Sequence, residues 1–127
     1  MTKDENKKFD LEERLLEYSV RIINIVESLP NNRVGNHIAN QLLRSGTSAY
    51  PNHGEAQAAE SRKDFIHKFK ISLKELRETQ RWLILIKHIG VINKAERLNG
   101  IIEETEELIK IFVSSIKTTQ RNLKKSS

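Results

Sequence analysis

Five cations recur along one stretch that contains no Gly or Pro, residues 61–89: Lys63, Lys70, Lys74, Arg77 and Arg81. At 100° per residue they fall within a helical sector of roughly 60°, with His67 and His88 at its edges. Regularly spaced Lys and Arg on a rigid rod can neutralise successive phosphates, with an affinity that falls as salt rises. The competing reading is a solvated helix face stitched by pairs such as Lys74 with Glu78, or Glu78 with Arg81. Only three acids, Asp64, Glu75 and Glu78, stand against eight Lys and Arg between Arg62 and Lys87, so local pairing cannot cancel the excess.

A second grouping is apolar. Ile71, Trp82 and Ile89 form a narrow line beside the main hydrophobic stripe, with Leu85 between that line and the cations. A bundle helix needs one apolar stripe, so a second one reads as an oligomer interface, where Trp is enriched. The plainer reading is that Trp82 broadens the core.

The segment His53-Gly54-Glu55 invites an enzymatic guess, because a His two residues before a Glu also opens the zinc-deaminase signature. That signature further requires a paired-Cys motif, and the chain has no Cys. Asn52 and Glu55 read instead as partners for backbone groups at a kink after Pro51. His37, His67 and His88 are scattered without His-Glu-x-x-His spacing, and neither a Gly-rich phosphate loop nor a Gly-x-Ser-x-Gly turn occurs. The expectation is a non-enzymatic protein without metal or cofactor. At the C-terminus Lys117, Arg121, Lys124 and Lys125 could grip phosphate or simply solubilise.

These groups need a scaffold, and the hydrophobic periodicity supplies helices. In residues 61–89 the core line is Phe65, Phe69, Leu73, Leu76, Leu83 and Ile86. Ser61 with Asp64 reads as an N-terminal cap and Gly90 as a left-handed C-terminal cap. Such a helix is about 43 Å long and needs partners of similar length.

A first helix is expected over about 10–29, on Leu11, Leu15, Tyr18, Ile22, Val26 and Leu29, widened by Leu16, Ile23 and Ile25. Pro30 stops it. Asn31 or Asn32 caps a second helix over about 33–49, with Val34, Ile38, Leu42 and Ser45 inward. Pro51 kinks or ends that helix, and residues 52–60 read as loop or continuation. A last helix, over about 94–122, follows a cap at Asn93. Its inner line is Leu98, Ile102, Thr105, Ile109, Phe112 and Ile116, broadened by Ile101, Leu108 and Val113. Residues 1–9 read as a flexible leader and 123–127 as a basic tail. Four amphipathic helices on short connections predict an all-α, antiparallel up-down-up-down four-helix bundle.

Composition agrees. Across 127 residues, 37% are hydrophobic and 31% charged, with 5 Gly and 2 Pro, which is too few turn residues for an all-β chain. The net charge of +5 is uneven: residues 1–60 carry −2 and residues 61–127 carry +7. No apolar run reaches membrane-spanning length and the first residues lack a hydrophobic signal region, so a cytoplasmic protein with no membrane partner is expected.

Residues 42–82 are more specific. Leu42-Leu43-Arg44-Ser45, Asn52-His53-Gly54-Glu55-Ala56, Ser61 to Phe69 and Leu73 to Trp82 closely resemble four-helix-bundle proteins encoded in intervening sequences of bacterial 23S ribosomal RNA genes. The wider family includes the accessory variability protein of diversity-generating retroelements, and the similarity spans about Phe9 to Asn122. Tyr50-Pro51 stands where this subgroup often has small residues, and Gly54-Glu55-Ala56 where many relatives read Ala-Glu-Gly. The resemblance implies a bundle that assembles into a ring, typically a homopentamer. In the retroelement member it implies a basic surface that binds nucleic acid and the reverse transcriptase.

The expected function is therefore a non-catalytic, oligomeric module binding RNA or DNA through Lys63, Lys70, Lys74, Arg77 and Arg81. The alternative is a protein-binding scaffold, such as a reverse-transcriptase accessory subunit, with no nucleic-acid role of its own.

Overall fold

Hydrophobic periodicity is realised as five helical segments. The computed structural model describes residues 3–92 and 96–126, with side chains over 11–92 and 96–125. The segments are α1 (Lys3–Ser28), α2 (Arg33–Gly46), α3 (Ala49–Gln57), α4 (Arg62–Ile89) and α5 (Glu96–Ser126). Segments α2 and α3 make one arm interrupted at Thr47-Ser48, so the protein is an all-α four-helix bundle, without strands among the described residues.

Named side chains link each helix to its neighbours. Ile22 of α1 abuts Gly46 of α2. His37 and Ser45 of α2 meet Trp82 and Thr79 of α4. Phe69 and Gln80 of α4 meet Phe112 and Ile102 of α5. Arg14 and Tyr18 close the bundle from α1 onto Glu104 and Thr105 of α5.

Local chemistry sets the boundaries. Asn32 caps α2 by accepting from the Gly35 N–H at 2.8 Å. Ser61 caps α4 by accepting from the Asp64 N–H at 3.1 Å. Gly90, at φ 68°, closes α4 in the left-handed region that glycine occupies without strain. The expected cap at Asn93 lies outside the described residues.

Several boundaries depart from the sequence expectations. The break in the second arm falls at Thr47-Ser48 and not at Pro51. Pro51 sits in the first turn of α3, where a missing N–H leaves no helical bond unmade. Asn52 Nδ2 donates to the Ser48 carbonyl at 2.9 Å, so it does serve the backbone there, whereas Glu55 pairs with Lys68 instead. Helix α1 already begins at Lys3, inside the expected leader, and α5 runs to Ser126, through most of the expected tail. Leu123 explains the second difference, because its side chain packs against the core.

The core runs the length of the bundle. Leu15, Tyr18 and Ile22 of α1 pack with Ile38 and Leu42 of α2, the Phe65–Phe69–Phe112 stack, Leu76, Leu83, Ile101 and Leu108. Three residues expected inward point out: Val34, Leu16 and Ile23 are exposed.

Two pairs of buried hydroxyl groups meet across helices. The Tyr18 hydroxyl donates to Thr105 Oγ1 at 2.6 Å, since Thr105 spends its own proton on the Ile101 carbonyl. The Ser45 and Thr79 hydroxyls meet at 2.9 Å.

Candidate nucleic-acid interface

Helix α4 carries the five cations on the side turned away from its buried residues Phe69, Leu76, Leu83 and Ile86. Lys63, Lys70, Lys74, Arg77 and Arg81 are all exposed, as are His67 and His88. At 1.5 Å per residue they extend over about 27 Å of rod. Cap and core residues fix both ends of α4, so the charges keep their spacing.

The acids that were expected to neutralise this face are engaged elsewhere. Glu75 Oε2 receives Arg44 NH1 at 2.9 Å, and Glu78 Oε2 receives Arg44 NH2. The pairs Lys74–Glu78 and Glu78–Arg81 do not form; among the described residues none of the five cations has an ion pair. Lys68, on the flank, is held by Glu55 at 2.8 Å, and that carboxylate raises the pKa of its ammonium. Arg44 entered the sequence reading only as part of the Leu42-Leu43-Arg44-Ser45 motif, with no charge pairing assigned to it. Its position on α2, off the inner line of Ile38, Leu42 and Ser45, was the available signal.

In the second apolar line of α4, Trp82 faces α2. Trp82 is half-buried, edge-on to His37 with ring centroids 5.9 Å apart, and its indole N–H donates to Glu78 Oε2 at 3.3 Å. Ile71 is half-buried, while Ile89 remains 43% exposed, next to Leu85 at 42%. The line is thus divided between contact within the chain at its middle and solvent at its end.

His53, singled out for enzymatic chemistry, is buried against Phe69 with Gln57 beside its Nε2 at 3.3 Å. Glu55 points away from it to Lys68. Among the described residues no group of His, Asp and Glu is placed to hold a metal, and no described helix is long and apolar enough to cross a membrane.

Fold and surface together define an all-α bundle protein with a cationic rod along one helix. More particularly, the chain belongs to the 23S rRNA-intervening sequence protein family, whose profile matches residues 7–114. It is similar to a protein of unknown function from the S23 ribosomal protein family of Bacteroides thetaiotaomicron, known from a crystal structure. The two are 39% identical and superpose with a TM-score of 0.78, over 84% of this chain and 98% of that one. No curated protein matches at a significant level.

Proposed function

We propose that the protein is a non-catalytic, cytoplasmic module, an antiparallel up-down-up-down bundle that assembles into a homopentameric ring and binds RNA or DNA electrostatically. The observation that carries this reading is the disposition of charge on α4. Five exposed cations lie along one rigid face while Arg44 occupies the two carboxylates nearest to it. Contacts of this kind go to phosphates and carry no sequence readout. Repetition around a ring would multiply weak contacts into avidity.

Self-association is supported by exposed apolar surface on two helices: Leu85 and Ile89 on α4, and Leu16, Val20 and Ile23, which recur at helical spacing on α1. Two different patches suit a head-to-tail contact, which closes into a ring when the rotation per subunit permits.

The test is a salt titration of binding to mixed RNA and DNA, with the oligomer mass measured in the same buffer. Binding by an oligomer that weakens steeply with salt supports the reading, and the slope counts the phosphates neutralised. No binding even at low salt overturns it in favour of an accessory scaffold whose basic face docks an acidic protein such as a reverse transcriptase.

A further inference from the structure

A hollow of about 920 Å³ opens between α1, α3, α4 and α5, on the side of α4 away from the cationic rod. Its floor is apolar: Leu11, Ala56 and the stacked rings of Phe65 and Phe69, whose centroids lie 4.2 Å apart. The buried ring of His53, 1% exposed, lies in the same wall. The size falls within the range of small-molecule sites, roughly 300–1,000 Å³, and an apolar floor with a few polar groups is their usual construction.

The charged groups lining the hollow are Arg14, Arg62 and Lys110, with Glu60 the one acid among the described lining residues. Glu104 holds Arg14 at 2.6 Å and Glu107 approaches Lys110 at 3.6 Å, but neither acid lines the hollow. Arg14 and Lys110 thus reach the hollow while their carboxylate partners stay outside its lining, and Arg62 donates to the Asn122 carbonyl at 3.1 Å. Ser61, Ser114 and Ser115 add hydroxyls around the same opening.

We infer that this hollow binds a small organic carboxylate with a flat apolar body, the body lying on Phe65 and Phe69 and the carboxylate meeting the Arg14, Arg62 and Lys110 edge. The site is separate from the cationic face of α4 and does not depend on nucleic-acid binding.

The experiment titrates the full chain with 2-naphthoate and with its neutral counterpart 2-naphthalenemethanol, read by calorimetry and by the histidine ring resonances. Naphthoate should saturate at one per chain, shift the His53 resonances and leave those of exposed His88 in place. The alcohol and the Lys110→Glu variant should each bind about tenfold more weakly, the size of a lost charge-assisted contact. Ser115→Trp, which fills the hollow from a half-buried position, should remove binding, whereas Lys70→Glu/Lys74→Glu should not alter it. Absence of saturable binding, a His53 ring that does not respond, or a Ser115→Trp chain that binds as the parent does would overturn the site. An alcohol that binds as tightly as naphthoate would overturn the carboxylate assignment.

Discussion

At the scale of single residues, two side chains decide more than their positions suggest. Arg44 bridges Glu75 and Glu78 from a neighbouring helix, leaving the α4 cations unopposed. In an Arg44→Gln chain Glu78 is free to turn to Lys74 and Arg81, one turn away on either side. Nucleic-acid affinity should drop severalfold and the salt slope should flatten, as measured by the same titration, with helical content unchanged. Tyr18 is the second. Burial pushes its phenol above its ordinary value of 10.0. Because the folded phenol keeps its proton to higher pH than the unfolded one, its contribution to stability is complete below pH 10 and is lost as pH rises beyond. The unfolding free energy from denaturant titrations should fall above pH 10 by up to about 1.4 kcal/mol per pH unit from this group, and Tyr18→Phe should remove that part of the slope. Tyr18 and the five cations were legible in the sequence from helical spacing alone. The Arg44 bridge was not, because residues 44, 75 and 78 become neighbours only when α2 settles on α4, and no local pattern records that docking.

At the scale of elements, α4 reads from sequence almost completely: cap, core face, basic face and closing glycine lie where residue types put them. The second arm does not. Its proline signal was strong, yet the chain breaks four residues earlier, where Gly46 is pressed against Ile22. A Cβ built on Gly46 would stand 2.6 Å from Ile22 Cγ2. Gly46→Val should therefore destabilise the bundle by about 1–3 kcal/mol through overpacking, seen as a lower denaturant midpoint. The triple reversal Lys70→Glu/Lys74→Glu/Arg77→Glu addresses the other side of α4. These side chains are exposed, so the thermal midpoint should move by only a few degrees while binding to RNA and DNA disappears. Unchanged binding would remove the rod from the mechanism.

For the whole molecule, the bundle architecture followed from four amphipathic periods, but its outer surface could not. Which edge of a stripe is covered depends on how far each neighbour reaches, and so Val34, Leu16 and Ile23 are exposed against expectation. The same uncertainty attached to Trp82, which contacts His37 within the chain. A test of assembly therefore belongs at the open end of that line. Ile89→Glu should reduce the particle mass measured by light scattering to that of a single chain, with the helical spectrum preserved. An unchanged mass would take Ile89 out of the contact between copies. The close approach of α1 to α2 has an evolutionary reading as well. Ile22 and Gly46 share one fixed volume, so neither can grow unless the other shrinks. Through the family, a larger residue at the position of Gly46 should be accompanied by a smaller one at that of Ile22. A chain carrying Ile22→Ala together with Gly46→Ala should be more stable than the two separate changes would sum to.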